Sequence, residues 1–303
     1  MYRWAGINDK QAIMDLWAVD FESSEPYYSW YFDNVFQPGL TLCDFYGTNL
    51  AAMLQIAPYQ LSLGGMAHKI AYLVGVICAP SFRGQGLATA LIKEAHSKLL
   101  RQGYAATLLY SDIPAFYKPS GYCHCYTRQQ LHLAAEQFSL LSILLDGQSD
   151  WREGSLVDDI PALSAIYERM TSHYEGYIIR SADNWRTYLG EHICDKARLA
   201  LAENRAYILY RLEKKVLQVI ELGFVDVMAL RCALAEAARL GMAEGAQSLA
   251  WPAPANAPQL LPHIPSGLWQ EQPFVMAKLL GCQSAIEDLK RSLSLPLWIN
   301  EYT

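Results

Sequence analysis

The stretch that decides the fold is VGVICAPSFRGQGLAT, residues 74 to 89. An apolar strand ends at Pro80, a short loop carries Gly84 and Gly86, and a helix with apolar periodicity follows. Glycines let the chain turn sharply and let its backbone approach a ligand closely. The first N–H groups of a helix have no partner within it and carry partial positive charge. The pattern predicts an anion site suited to a diphosphate, with Arg83 adding a full charge at the loop entrance.

Alternating strand and helix patterns surround this loop. Asn8 is expected to cap the first helix, and Gly103 to end the helix after the loop. The pattern predicts helices over 9–21 and 85–102, a helical turn at 114–118, and strands at 41–46, 49–61, 67–78, 107–110 and 122–133.

A second landmark lies about 30 residues after the loop. It reads Phe116-Tyr117-Lys118-Pro119-Ser120-Gly121-Tyr122 and resembles the Phe-Tyr-x-x-x-Gly-Phe/Tyr segment of the GNAT acetyltransferase superfamily. Arg83-Gly84-Gln85-Gly86-Leu87-Ala88 resembles the acyl-CoA-binding motif of the same superfamily, Arg/Gln-x-x-Gly-x-Gly/Ala. A glycine loop alone would also suit a generic strand–loop–helix connection, but two motifs in the right order are harder to obtain by chance.

More narrowly, the chain resembles the Eis-like (enhanced intracellular survival) branch. The resemblance rests on the aromatic segment 26–32, PYYSWYF, on the strand segment 71–76, AYLVGV, and on a second GNAT-like half. That branch often carries a C-terminal sterol-carrier-like domain, which we expect this chain, ending at Thr303, to lack. Multimeric relatives imply a homo-oligomer.

The resemblance implies an α/β fold with a mixed sheet and an N-acetyltransferase that moves an acetyl group from acetyl-CoA to a primary amine, on a small molecule or a lysine side chain. Tyr117 matches the general acid that protonates the departing thiolate, and a phenol pKa near 10 suits that role. A tyrosine packing under the coenzyme arm is the alternative. The implied coenzyme contacts are Val76, Ile77, Cys78, Arg83, Gly84, Gln85, Gly86, Leu87, Ala88, Thr89, Ser111 and Asp112.

Several of these contacts have plainer interpretations. Strand N–H groups at 76–78 could bond the pantetheine arm, or the strand could be ordinary core. Ser111 and Asp112 could equally form a turn or cap. A non-catalytic acyl-CoA-binding sensor or regulatory protein is the alternative function, and a purely structural partner protein is disfavoured by the intact loop.

The acceptor side is expected near the aromatic segment, where ring faces attract a cationic amine. The candidates are Glu22, Glu25, Tyr27, Trp30 and Tyr31, with surface exposure of the acids and helix packing of the rings as alternatives. The base is not identified. Glu22, Glu25, Glu301 and the Thr303 carboxylate are the candidates.

The polar segment 146–150 predicts a linker between a catalytic domain at 1–145 and a second GNAT-like domain at 146–303. Arg152 stands to Asp158 much as Arg3 stands to Asp9, which favours an internal duplication over chance likeness. The counterpart of the loop, ELGFVDV at 221–227, has one glycine, no arginine and two acids. We expect this half not to bind CoA and to shape the acceptor pocket or an interface.

Composition excludes several classes of protein. The net charge of −6 comes without a basic cluster, so nucleic-acid binding is not expected. Seven scattered cysteines show no metal or disulfide spacing, and Cys123-His124-Cys125 in a strand would point its thiols to one face and its histidine to the other. No signal peptide or membrane span is evident, so we expect a cytoplasmic protein with neither metal nor membrane partner.

Overall fold

The computed structural model describes residues 1–21, 25–142, 150–281 and 297–298, which fall into two compact units. Unit one contains Met1–Tyr126 and, of the later described residues, 274–281. Unit two contains Thr127–Pro273 and residues 297–298. Both units combine helices with parallel and antiparallel strand pairs, so the predicted α/β class with a mixed sheet is confirmed.

The described residues of unit one form four helices and a sheet. The helices are α1 (Lys10–Asp20), α2 (Glu25–Asn34), α3 (Leu87–Arg101) and α4 (Pro114–Tyr117). The strands are β1 (Tyr2–Trp4), β2 (Thr41–Tyr46), β3 (Asn49–Leu63), β4 (Met66–Cys78), β5 (Ala106–Leu109) and the first residues of β6 (Cys123–Ala134). The predicted elements are found with their ends shifted by a few residues. The expected cap at Asn8 is wrong, because Asn8 lies inside a 3-10 turn and Asp9 precedes α1.

The unit-one sheet runs β1-β2-β3-β4-β5 and continues into residues 274–279, the end of β13 (Trp269–Leu279). The β2–β3–β4 ladder is antiparallel, and β4 and β5 are parallel. The helix α3 covers one face because Leu87, Leu91 and Leu99 recur at helical spacing and are buried. Gly103, at φ +79°, ends that helix as predicted.

A bulge interrupts β4 just before the loop. Met53 of β3 pairs with Ile77, but Gln55 pairs with Val74, so β4 carries an extra residue here. Gly75 lies in the bulge at φ +57°, and a Cβ there would lie 2.5 Å from Cζ3 of Trp17. The position therefore requires glycine for both its backbone conformation and its contact with α1.

Unit two repeats this plan with different lengths. Its helices are α5 (Ser139–Ser142), α6 (Ile160–Thr171), α7 (Ala182–Cys194), α8 (Val227–Ala243) and α9 (Ala257–Leu260). Its strands are β7 (Trp151–Gly154), β8 (Gly176–Ile179), β9 (Arg198–Ala202), β10 (Ala206–Glu213), β11 (Val216–Phe224), β12 (Ser248–Ala253), β14 (Leu297–Trp298) and the remaining residues of β6 and β13.

The unit-two sheet runs β7-β9-β10-β11-β12 and continues into the end of β6. In each unit, therefore, the last strand of the series pairs with a strand that is distant in sequence. The partner of β5 is β13, and the partner of β12 is β6. Residues 276–279 of β13 pair with β5 in unit one, and residues 129–134 of β6 pair with β12 in unit two. The sequence does not predict this exchange, because strand patterns do not reveal the partner of a strand.

The two units share a local device at their starts. The Arg3 guanidinium donates to both carboxylate oxygens of Asp9, at 2.6 and 2.9 Å, and Arg152 does the same to Asp159, at 2.8 and 2.6 Å. The partner of Arg152 is thus Asp159, and the predicted correspondence of Asp158 with Asp9 is wrong by one residue. The repeated contact supports the internal duplication more strongly than the sequence pattern does.

Candidate active site

An opening in the sheet of unit one positions the site. β4 and β5 pair only from Ile70 with Ala106 to Tyr72 with Leu108, and β4 then continues to Cys78 beyond the reach of β5. Backbone groups of β4 after the bulge are thereby left facing the gap. A strand edge of this kind can bond an extended ligand as a further strand would.

The loop after β4 leads directly into the start of α3. Gly84 and Gly86 have φ of +76° and +74°, and no atom lies within 4 Å of the place a Cβ would take at either. Glycine is therefore required by the backbone conformation and leaves open space above it. No side chain caps the helix at Gly86, so the N–H groups of its first turn remain available to an anion.

A cavity of about 390 Å³ joins the opening, the loop and the start of α3. It brings together nine of the predicted site residues, namely Val76, Cys78, Arg83, Gly84, Gly86, Leu87, Ala88, Thr89 and Tyr117. Ile77 and Gln85 do not line it, because Ile77 points into the core and Gln85 is exposed on the loop. The cavity also contains Phe82, Ile113 and Phe116, which sequence analysis did not propose as site residues.

Arg83 is held by unit one itself. One terminal nitrogen donates to Asp20 Oδ1 at 2.5 Å, and Nε donates to the Cys78 carbonyl at 3.1 Å. The guanidinium therefore ties the loop to the end of α1 and to β4. Its charge is shared with Asp20, which the sequence did not indicate, since the two residues are 63 positions apart.

Tyr117, the last residue of α4, is buried and lines the cavity. Burial raises the pKa of its phenol, and a hydrogen bond with Ser111 opposes part of that rise. A phenol with a raised pKa keeps its proton at neutral pH. The arrangement can supply a proton to a thiolate formed in the cavity.

A buried polar cluster formed by Tyr122, Thr107 and His96 packs against Tyr117. The ring of Tyr122 contacts the Tyr117 ring edge-on, with centroids 5.8 Å apart. The Tyr122 hydroxyl lies 2.8 Å from Thr107 Oγ1 and 3.0 Å from Nε2 of His96. Burial, with a smaller contribution from Lys278, lowers the pKa of His96 to about 4, so the cluster is uncharged at neutral pH.

Ser111 and Asp112 form a turn after β5 and do not line the cavity. The Ser111 hydroxyl accepts a hydrogen bond from the Ile113 N–H at 3.0 Å, and Asp112 accepts one from the Tyr110 hydroxyl at 2.8 Å. These contacts fit the turn interpretation. Ser111 contributes to the site indirectly, through its hydrogen bond with Tyr117.

The acceptor-side aromatics of α2 lie outside the cavity. Tyr31 is buried, stacks on Trp17 at 5.0 Å and donates to Gln55 Oε1 at 2.8 Å. Tyr27 is half-buried, with ring centroids 6.3 Å from Trp30 and 5.9 Å from Tyr31. Tyr31 therefore packs within unit one, and its role on the acceptor side stays a prediction.

The candidate bases fall outside the described part of the site. Glu22, Glu301 and Thr303 lie outside the described residues, and Glu25 begins α2 without a described side chain. Their roles stay predictions.

In unit two the start of α8, the equivalent of α3, is capped by a side chain. Asp226 precedes α8, and its Oδ1 accepts a hydrogen bond from the Ala229 N–H at 2.7 Å. A carboxylate thus occupies the place that an anion would need, and the loop between β11 and α8 lacks the glycine pair. The start of α8 therefore lacks the open N–H groups that Gly86 leaves at the start of α3.

The described residues contain neither a cluster of three His, Cys, Asp or Glu side chains that could hold a metal ion nor a helix long and apolar enough to cross a membrane. The thiols of Cys123 and Cys125 both approach carbonyls of β13, at 3.8 Å from Ala277 and 3.6 Å from Val275. They share one face of β6, as the alternation of a strand predicts.

Comparison with known proteins extends this description. Residues 1–125 match the family model described as an acetyltransferase (GNAT) domain. No curated protein matches the sequence. Among solved structures, a conserved protein from Enterococcus faecalis V583 superposes with a TM-score of 0.76 at 16% identity, covering 92% of this chain and 72% of that one.

Two further structures show the same fold. A GCN5-related N-acetyltransferase from Kribbella flavida gives a TM-score of 0.74 at 20% identity, covering 92% of this chain and 70% of that one. Eis1 from Mycobacterium abscessus gives 0.70 at 16% identity, covering 92% and 73%. At such identities the likeness concerns the fold alone. Residues 1–125 thus resemble an acetyltransferase domain of the GNAT type, in a chain whose fold resembles those structures over more than nine tenths of its length.

Proposed function

We propose that this protein is an N-acetyltransferase that moves an acetyl group from acetyl-CoA directly to a primary amine, on a small molecule or a lysine side chain. The observation that carries the proposal is the uncapped start of α3 at Gly86, which opens into the same cavity as the buried Tyr117. An anion-binding end and a proton donor in one cavity suit a substrate that has a diphosphate and a thioester.

Successive residues along the cavity match successive parts of acetyl-CoA, from the diphosphate to the thioester. N–H groups of the first turn of α3 and of the glycine loop would hold the diphosphate. The unpaired edge of β4 at Val76 to Cys78 would bond the pantetheine arm and polarise the thioester carbonyl. In this arrangement the thioester lies toward Tyr117.

The transfer then needs one attack and two proton movements. The neutral amine nitrogen attacks the carbonyl carbon, and the carbon–sulfur bond breaks as the sulfur leaves with the bonding electrons. Tyr117 gives its proton to that sulfur, and the acetylated nitrogen loses its extra proton to a base or to water. The raised pKa of Tyr117 keeps the phenol protonated before the transfer.

We also place the chain in the Eis-like branch, with catalysis at 1–145 and a second domain at 146–303 that does not bind CoA. The fold shared with Eis1 from Mycobacterium abscessus supports the assignment to this branch. The capping of α8 by Asp226 supports the proposal that the second domain does not bind CoA. The acceptor-side candidates near α2 and the candidate bases belong to this proposal as well.

Two measurements test the function. Acetyl-CoA at 100 times its dissociation constant should stabilise the full chain by about 2.7 kcal/mol, which a thermal unfolding experiment detects as a higher melting temperature. Free thiol released from acetyl-CoA is then followed with a panel of amines and polyamines and a lysine peptide. A stabilised protein that releases no thiol with any amine would point to the sensor alternative, and a protein that acetyl-CoA does not stabilise would refute both.

A further inference from the structure

A buried arginine of unit two is enclosed by aromatic rings. Arg180 lies just before α7, and its side chain is 1% exposed. Its guanidinium carbon lies over three ring faces, 4.3 Å from the centroid of Tyr167, 4.6 Å from that of Trp185 and 4.2 Å from that of Tyr188. Ring faces carry partial negative charge and attract cations, most strongly where water is excluded. The three rings therefore favour a positive charge between them.

A carboxylate completes this arrangement and makes it selective for shape. Each oxygen of Glu221 accepts a hydrogen bond from one terminal nitrogen of Arg180, both at 2.7 Å. The hydroxyls of Tyr188 and Tyr207 also donate to Glu221, at 3.2 and 2.6 Å, and so hold the carboxylate in its orientation. Two parallel N–H···O bonds match the flat fork of a guanidinium, which an ammonium group lacks. We define the cation cage as Tyr167, Trp185, Tyr188 and Glu221.

The backbone of β11 is adapted to the cation cage. The register shifts between Leu209 and Tyr210 of β10, so β11 carries an extra residue directly before Glu221. Farther along β11, a Cβ at Gly223 would lie 2.0 Å from the ring of Tyr207. Glycine is needed there because the Tyr207 ring occupies that space when its hydroxyl bonds the carboxylate.

The cation cage corresponds in position to the expected acceptor side of unit one. Tyr167 and Trp17 each stand eight positions after the aspartate that pairs with the arginine at the start of their unit. Each ring contacts an aromatic ring of the following helix, Trp185 in α7 and Tyr31 in α2. In each unit the strand that precedes the long helix, β11 or β4, carries a bulge. This correspondence rests on the proposed function, whereas the cage itself does not.

We propose that the cation cage is a binding site for a planar guanidinium cation and that Arg180, from the same chain, is its resident ligand. The arginine takes the place that an external amine or guanidine would need, so this site of unit two is closed to such compounds. Removal of the Arg180 side chain should leave a site that a free guanidinium compound fills.

The experiment removes the resident ligand and supplies it again as a small molecule. Arg180→Ala deletes the side chain beyond Cβ, and ethylguanidinium contains the deleted atoms. The full-length variant is refolded from urea with ethylguanidinium, ethylammonium or ethylurea at the same millimolar concentration, and its melting temperature is measured. We expect ethylguanidinium to raise the melting temperature saturably by about 2 °C or more, because a ligand of the folded state stabilises it by mass action. Ethylammonium lacks the planar fork and ethylurea lacks the charge, so neither should do so.

Two control proteins define the outcome. Wild-type protein should not respond to ethylguanidinium, because Arg180 fills its cage. Arg180→Ala combined with Glu221→Gln should lose the response, because the carboxylate that pairs with the cation is gone. The proposal is overturned if Arg180→Ala, folded or unfolded, does not respond, if ethylammonium acts as well as ethylguanidinium, or if wild-type protein responds equally.

A variant that keeps the charge provides a second test, which does not depend on the folding of Arg180→Ala. Arg180→Lys retains a cation but has no planar fork, so it should melt at a lower temperature than wild type. Arg186→Lys, in the exposed pair with Asp183, is the matched control and should leave the melting temperature unchanged. Wild-type stability in Arg180→Lys would show that the cage recognises charge alone, contrary to the proposal. None of these measurements uses acetyl-CoA, so their failure is distinct from failure of the proposed function.

Discussion

The Arg83 guanidinium donates to Asp20 Oδ1 at 2.5 Å across 63 positions of sequence. Its Nε bond to the Cys78 carbonyl fixes the same group to the end of β4. The loop cation is therefore positioned before any ligand arrives, and part of its charge is balanced by the carboxylate. Both features affect how strongly a diphosphate is attracted.

The first prediction concerns this ion pair. Arg83→Gln should weaken acetyl-CoA binding about tenfold, because a charged hydrogen-bond donor is lost, and Arg83→Glu should weaken it further. Asp20→Asn should not weaken binding, and at low salt should tighten it, since the competing carboxylate charge is removed. Calorimetric titration at two salt concentrations measures all three. Unaltered affinity in Arg83→Glu would show that the diphosphate lies elsewhere.

The second prediction concerns Tyr117. Tyr117→Phe should lower kcat about 100-fold while leaving KM for acetyl-CoA nearly unchanged, because proton donation acts in the transition state. Tyr122→Phe is the matched control, since that buried phenol bonds Thr107 and His96 and does not line the cavity. Its kcat should stay within a few-fold of wild type. Equal losses in both variants would mean that Tyr117 acts only by packing.

The third prediction transfers the cap of unit two to unit one. Asp226 accepts from the Ala229 N–H and so satisfies the helix start that Gly86 leaves open. Gly86→Asp should abolish acetyl-CoA binding, because the carboxylate competes for the N–H groups and repels the diphosphate. Gly86→Asn controls for shape and for the left-handed backbone, which asparagine tolerates. Similar affinities for the Asp and Asn variants would argue against an anion at this position.

Local sequence explains much of the fold of unit one. The spacing of Leu87, Leu91 and Leu99 predicts α3, and Gly103 predicts its end, because both signals depend only on nearby residues. The placement of residues 276–279 beside β5 depends on pairing over more than 160 positions, which no local pattern encodes.

The candidate site was predictable to a similar degree. The glycine loop and Tyr117 stand in recognisable segments, and they meet in one cavity. Phe82 and Phe116 lie within the same segments, and their positions beside the loop and beside Tyr117 are the signal that could identify them. The Asp20 partner of Arg83 could not be found in this way, because it depends on how α1 packs against the loop.

A buried histidine makes the stability of unit two dependent on pH. Both ring nitrogens of His192 are buried without a hydrogen-bond partner among the described residues, and its ring contacts Tyr188 at 4.8 Å. Burial lowers its pKa to about 4, although Glu221 opposes the shift. The unfolded chain takes up this proton at the ordinary pKa near 6.5, so it binds more protons than the folded chain between pH 6.5 and 4.

The fourth prediction follows from that sign. The contribution of His192 to the free energy of unfolding should fall by roughly 1 kcal/mol per pH unit as the pH drops below 6.5. His192→Leu should therefore be more stable than wild type at pH 5 and similar to it at pH 8, as measured by urea unfolding. If the free energy of unfolding of His192→Leu varied with pH in parallel with that of the wild type, the interpretation of His192 as a buried neutral ring would be contradicted.

Unit two also contains a buried ion pair, formed by Arg180 and Glu221. Arg180 donates to both carboxylate oxygens of Glu221 at 2.7 Å, and the two side chains are 1% and 0% exposed. Glu221 also accepts from the hydroxyls of Tyr188 and Tyr207, at 3.2 and 2.6 Å. Each charge has several partners, so the pair is tolerated away from water.

The last prediction separates the value of this pair from the cost of breaking it. Arg180→Met should destabilise the protein by about 3–5 kcal/mol, because Glu221 would be left buried without its counter-charge. Arg180→Met combined with Glu221→Leu should recover much of that loss, since removing both charges leaves none uncompensated. The exposed pair of Arg186 and Asp183 provides the control, where Arg186→Met should cost no more than about 1 kcal/mol. The loss of stability in the double variant is compared with the sum of the losses in Arg180→Met and Glu221→Leu measured separately. If the two values are equal, the side chains act independently and the broken ion pair is not the source of the loss.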